Sequence, residues 1–296
     1  MSCLTRRASS AVQRTLGRSA GLNWAKAGAA RRKGQRKAAN RRIGYLLDCL
    51  IPESTRWMPS RSVGRVFFCT LSSMFRAILF DLDGLLVDTE PVYWAVAREM
   101  ARLRGRRVGD ETLRRMMGVS RIESMRVLKA DLGLVESPEM LLEEREEMML
   151  RRYRAGVSPM PGASELVEEF RQRMLLAVVT SSPRKFVDVL LPSLGLSGVF
   201  DHIQSGEGVR RGKPDPEIYR LAMAALGVSP TQCIVLEDSR SGALAGRSSG
   251  AFVVAVPTEL SRGDDFAFAD AVAADLFEAA RVIRGLPLAA QRSMTS

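Results

Sequence analysis

The chain has 296 residues, 46% of them hydrophobic, with a formal net charge of +11, one histidine and four cysteines. That length supplies a large core and one or two domains, and no apolar run reaches the roughly 18 residues of a membrane-spanning helix. With His202 the lone histidine, a His-rich metal site or a His-based triad is nearly excluded, which leaves acid–base work to carboxylates, and Cys3, Cys49, Cys69 and Cys233 show no paired metal spacing and read as thiols of a reducing compartment or as simply tolerated free thiols.

The positive charge is confined to the N-terminal segment. Residues 1–73 carry 15 Lys+Arg against two acids, Asp48 and Glu53, so 15 − 2 gives +13. The other 223 residues hold 44 − 15 = 29 basic and 33 − 2 = 31 acidic side chains, or −2. Three readings of the segment stand side by side. Its Arg-, Ser- and Ala-rich, acid-poor composition is that of an organelle transit peptide. Its cluster Arg31-Arg32-Lys33 with Arg36, Lys37, Arg41 and Arg42 suits an anionic surface or nucleic acid. In the third reading the protein starts at Met74, directly before the first core strand, and the upstream residues are dispensable. Only Trp24 and Tyr45 flank the basic cluster, so a base-stacking surface is not supported and nucleic acid is not the expected partner. Residues 1–73 are expected to be mostly disordered.

From Met74 strands and helices alternate. Strands are predicted at Ala77–Phe80, Leu175–Val179, Val199–Gln204, Cys233–Leu236 and Phe252–Val256. Helices are predicted over Pro91–Arg104, Asp110–Met117, Ile122–Leu132, Pro138–Tyr153, Ala163–Arg173, Phe186–Leu194, Pro216–Leu226, Gly242–Ser249 and Ala274–Arg284. Alternation of this kind makes an α/β, Rossmann-like parallel sheet covered on both faces. The helical block just after the first strand interrupts it and reads as an inserted all-helical cap. The expected division is a 1–73 extension, a core of 74–89 and 159–290, a cap of 90–158, and a 291–296 tail. Ligands of such sheets bind beyond the carboxyl ends of the strands.

Polar motifs follow the strands. The first strand ends in Asp81-Leu82-Asp83-Gly84. Side chains at i and i+2 point the same way, so two acids face one site, a repulsive arrangement unless a cation joins them. An acidic loop is the plain alternative. Thr180-Ser181-Ser182 follows the second strand, where a hydroxyl can meet a phosphoryl oxygen or simply form a turn. Lys213 is fixed between Gly212 and Pro214. Glu237-Asp238 follows another strand, where Asp238 or Ser239 could instead cap the next helix.

Asp81-Leu82-Asp83-Gly84 with Asp88-Thr89-Glu90, followed by Thr180, Lys213 and Glu237-Asp238, resembles the four ordered motifs of the haloacid dehalogenase superfamily, in its β-phosphoglucomutase-like and sugar-phosphatase branch. The resemblance covers about residues 75–285. It implies Asp81 as nucleophile, Asp83 as general acid and base, Thr180 and the neighbouring Ser182 at the phosphate, and Lys213 offsetting charge. It implies Mg²⁺ held by Asp81, the backbone carbonyl of Asp83 and Asp238, with Glu237 a ligand or a group behind one. Asp83 argues against the dehalogenase branch, which generally lacks an acid there. Met117-Gly118-Val119-Ser120-Arg121 with Glu123-Ser124 resembles a cap motif whose Arg can hold a distal phosphate. Ser120, Arg121 and Glu90 are therefore candidate substrate contacts, against a plain helix start capped by Ser120. Tyr93 stands where mutases tend to carry His, and Glu143–Arg154 offers no Lys, only Arg. The expected activity is Mg²⁺-dependent hydrolysis of a small phosphorylated metabolite, a sugar phosphate, through an aspartyl phosphate. A hexose-phosphate mutase is the second reading, and binding of nucleic acid or an anionic surface through residues 1–73 is a third, of another class. The expected protein is a cytoplasmic monomer or weak dimer, with organelle targeting by residues 1–73 as the alternative.

Overall fold

A computed structural model describes residues 74–289; the readings of 1–73 and of the 291–296 tail lie outside the described residues. The sheet is built from β1 (Ala77–Phe80), β2 (Leu175–Val179), β3 (His202–Gln204), β4 (Cys233–Glu237), β5 (Phe252–Ala255) and β6 (Ala271–Val272). All neighbours are parallel, in the order β3-β2-β1-β4-β5-β6. The chain runs outward from β1 to one edge and returns to build the other half. The switch in direction therefore lies at β1, where a parallel sheet opens its ligand crevice.

Period-two alternation sorts the strand side chains onto two cores. Ile78 and Phe80 of β1 join Phe170, Phe186, Leu190 and Ile283 on one face. Ala77 and Leu79 join Ile218, Tyr219, Ala222 and Ala243 on the other. Both faces are covered, as uninterrupted apolar strands require. Phe80, Phe170 and Phe186 are fully buried, each contributing about 1.5–3 kcal/mol of transfer free energy.

Four helices follow β1 directly along the chain: α1 (Glu90–Leu103), α2 (Asp110–Met116), α3 (Arg121–Leu132) and α4 (Pro138–Ala155). The sheet is then flanked by α5 (Ala163–Phe170), α6 (Arg184–Ser193), α7 (Glu217–Leu226), α8 (Arg240–Ser249) and α9 (Leu276–Arg284). Side-chain caps fix several starts. Ser120, Ser137, Ser239 and Asp275 accept the backbone N–H groups of Glu123, Met140, Gly242 and Glu278. Asp275 thus moves the start of α9 to Leu276, and Ser239 moves that of α8 to Arg240, two residues from the predicted positions in each case. The strand β3 begins at His202 rather than Val199, and β4 runs on to Glu237, which pairs with Ala255. The two-residue β6 was not foreseen, being too short for a periodic signal. No helix among the described residues is long and apolar enough to cross a membrane.

Candidate active site

The carboxyl ends of β1, β2 and β4 converge on one cluster. Asp81 keeps the parity of Ala77 and Leu79 on β1, and Glu237 keeps that of Cys233 and Val235 on β4, so both turn toward the same face of the sheet. Lys213 meets them there. Its ammonium donates to Asp81 Oδ1 at 2.5 Å, to Glu237 Oε1 at 2.6 Å and to the Val179 carbonyl at 3.1 Å. All three of its protons are used. Burial would push this ammonium down, but Asp81 and Glu237 outweigh it and hold the Lys213 pKa above its ordinary value. Asp81 is pushed up to about 7, chiefly by burial, with Glu237 and Asp83 adding and Lys213 opposing.

Glu237 is 0% exposed and its oxygens are committed. Tyr219 Oη donates to Oε1 at 2.7 Å, and the Ser239 hydroxyl donates to Oε2 at 3.1 Å. The adjacent Asp238 has the opposite strand parity and stands at the chain turn of Gly84. That glycine has φ +77°, and a Cβ on it would lie 2.5 Å from Asp238 Oδ2. Gly84 thus meets two demands at once, a left-handed turn and close approach of the acid. Asp238 is held well above the ordinary carboxylate range by burial and by Asp81 and Glu237. Ser239, and not Asp238, caps α8, which frees the Asp238 side chain for the site.

Asp81, Glu237 and Asp238 offer carboxylate oxygens within 4.8 Å of one another. Three acids there share the single ammonium of Lys213, and hard oxygen donors with excess negative charge suit a divalent cation such as Mg²⁺. The chemistry of the donor set therefore fits the ion.

Asp83 turns elsewhere. Its Oδ2 accepts from the Ser182 hydroxyl at 2.6 Å and the Thr180 hydroxyl at 3.2 Å, and the Thr180 oxygen in turn accepts the Ser182 N–H at 3.0 Å. Asp83 Oδ1 is buried and has no hydrogen-bond partner. One oxygen is clamped and the other is unpartnered.

These groups floor a cavity of about 370 Å³ whose roof comes from α1, α2, α3 and α4. Glu90 lines it and accepts from the Thr258 hydroxyl at 2.9 Å. Ser120 and Arg121 line it as well. Ser120 caps α3 as the plain reading expected, but Arg121 is only part-exposed and pairs with Glu146 at 3.3 Å.

Arg145 was missed. It is 4% exposed, lines the cavity, donates to the Ser124 hydroxyl oxygen at 2.7 Å and lies 5.7 Å from the centre of the Tyr93 ring. Its Nε has no hydrogen-bond partner, and no carboxylate is within ion-pair distance among the described residues. The neighbouring Glu146 is engaged by Arg121 and, at 2.7 Å, by Lys185. The sequence held a signal for this: Leu141, Arg145 and Met148 fall on one helical row, an arginine on an apolar face.

The profile of haloacid dehalogenase-like hydrolases matches residues 78–256. The phosphorylated carbohydrates phosphatase of Thermotoga maritima is 37% identical over 175 residues, 59% of this chain and 81% of that protein. The validoxylamine A 7'-phosphate phosphatase of Streptomyces hygroscopicus is 35% identical over 206 residues, 69% of this chain and 96% of that protein. Among solved structures, CbbY of Rhodobacter sphaeroides in complex with xylulose-(1,5)bisphosphate superposes with a TM-score of 0.64 at 27% identity, over 73% of this chain and all of that one.

Proposed function

The chain belongs to the haloacid dehalogenase-like hydrolases and is a phosphoric monoester hydrolase, and from that premise we propose that it is a Mg²⁺-dependent phosphatase of a small sugar phosphate, working through a phosphorylated Asp81. The observation that carries the proposal is the contrast between the two aspartates of the first strand end. Asp81 is paired with a saturated ammonium, while Asp83 is clamped on one oxygen and has no hydrogen-bond partner on the other.

In this reading an Asp81 oxygen attacks phosphorus. The bond from phosphorus to the substrate oxygen breaks, and Asp83 gives that oxygen its proton. Water then attacks the same phosphorus, Asp83 takes the proton of the water, and the Asp81 carboxylate leaves. Two roles for two carboxylates follow from two environments. Lys213 offsets the charge on Asp81 and on the phosphoryl group. Asp81, Asp238 and the backbone carbonyl of Asp83 would hold Mg²⁺, which supplies charge neutralisation at the phosphoryl oxygens. Glu237 is assigned to holding Lys213 in place, because both of its oxygens are already occupied. Thr180 and Ser182 position Asp83. The helices of residues 90–158 act as the cap, and Arg121 and Arg145 receive oxygens of the leaving group.

A hexose-phosphate mutase is the second reading, favoured by the two arginines, which suit a substrate with another anionic group. Phosphate release from a panel of sugar phosphates, with Asp81→Asn as control, separates the two. Mg²⁺-dependent free phosphate that is lost in Asp81→Asn supports the phosphatase. Isomerised ester with little free phosphate supports the mutase. Near-normal release by Asp81→Asn would reject the mechanism.

A further inference from the structure

The cavity roof has two chemistries. The starts of α3 and α4's inner row bring Ser124, Arg121 and Arg145. The other part is apolar: Trp94 from α1, Leu113 and Met116 from α2, and Met117 and Val119 from the loop after it. Phosphoryl transfer at Asp81 uses none of these five. The Arg98 guanidinium lies 5.3 Å from the centre of the Trp94 ring. The Trp94 Nε1 is buried and without a hydrogen-bond partner. Methionines beside the indole give a surface that adapts to the shape of an apolar face.

We propose that Trp94, Met116 and Met117 form a shelf that selects cyclic leaving groups. The substrate, on the phosphatase reading above, is the phosphate ester of a pyranose or cyclitol. Its C–H face lies on the shelf. A six-membered polyol ring gathers its C–H bonds on a face and its hydroxyls on the edge, which matches one apolar wall and one wall of hydrogen-bond donors. An open-chain polyol turns hydroxyls to all sides. Some of them would be pressed against the shelf without partners, at the cost of burying an unpaired polar group.

The test is a matched pair of esters on the full chain with Mg²⁺: a methyl hexopyranoside 6-phosphate, whose ring is locked, against the hexitol 6-phosphate of the same configuration, in the gluco, galacto and manno series. Both carry the phosphate on a primary alcohol. The expected kcat/KM favours the ring by roughly tenfold or more in at least one series, the range typical of discrimination by an apolar wall. Trp94→Ala should bring that ratio toward one. Trp94→Phe, which keeps a flat aromatic face of smaller area, should retain part of it. Met117→Gln, in the loop, makes the same test should Trp94→Ala fail to fold. Equal kcat/KM within every pair, a preference for the hexitol esters, a ratio unmoved by the variants, or release from acetyl phosphate alone would overturn the shelf assignment and leave the phosphatase reading standing. Release from no ester and none from acetyl phosphate, an acyl phosphate, would overturn both.

Discussion

Asp81 and Asp238 are acids that folding holds in a place where ionisation is costly, and their pH dependence follows. Asp81 has an ordinary value of 3.8 and a folded-state value of about 7. A raised carboxyl binds its proton more tightly folded than unfolded. Its contribution to stability is full below the unfolded value and is lost as pH rises through about 7. A cation must displace that proton, so metal affinity should rise over the same interval. The chelated protein should unfold at a lower temperature at about pH 8 than at about pH 5.5, and Mg²⁺ should raise the midpoint more at the higher pH. Thermal unfolding with EDTA and with Mg²⁺ at both pH values checks this; equal Mg²⁺ shifts would show that these carboxyls do not gate the ion. At this scale the motif acids and Lys213 were legible from their order along the chain, the acids following apolar strands, although an acidic loop or a helix cap would explain each acid pair taken alone. The division of labour between Glu237 and Asp238 was not. They are adjacent, and only the extension of β4 to Glu237 decides which turns toward Lys213 and Tyr219. Arg145 escaped for another reason: its meaning depends on an absent partner, and a sequence does not show pairing.

At the scale of elements, one serine joins helix and site. Ser239 accepts the Gly242 N–H at 3.1 Å as the cap of α8 and donates to Glu237 at 3.1 Å. Gly242 lies so close to Glu237 that a Cβ there would overlap its carboxylate. Ser239→Ala should therefore cost about 1 kcal/mol of stability, the usual worth of an N-cap, and lower turnover by loosening Glu237 and through it Lys213. Denaturant unfolding and kcat together read both effects; unchanged stability would show that the cap contributes nothing. The long elements were legible from their period, and β1 and β2 coincide with their predicted spans. What moved were boundaries set by single side chains, such as the starts of α8 and α9, and the short β6, which exists because β5 offers it an edge to pair with.

Over the whole molecule, the charge is divided unevenly, +13 in residues 1–73 and −2 in the rest, while every group of the site lies within 81–238. The site is assembled by topology: β1 is the switch point of the sheet, and acids placed far apart in sequence meet because their strands are neighbours. That meeting was implied by the order of the motifs, whereas the shape of the roof depends on how four helices pack and was not. A protein starting at Met74 should keep the turnover of the full chain; a large loss would give the basic segment a part in the reaction. The central claim is that Asp81 carries the phosphoryl group. Borohydride reduces an aspartyl phosphate to homoserine, so the enzyme quenched during turnover can be reduced, digested and mapped by mass. The account predicts homoserine at position 81, formed only with substrate and Mg²⁺ present. Steady phosphate release with Asp81 unmodified, or homoserine at another aspartate, would contradict it.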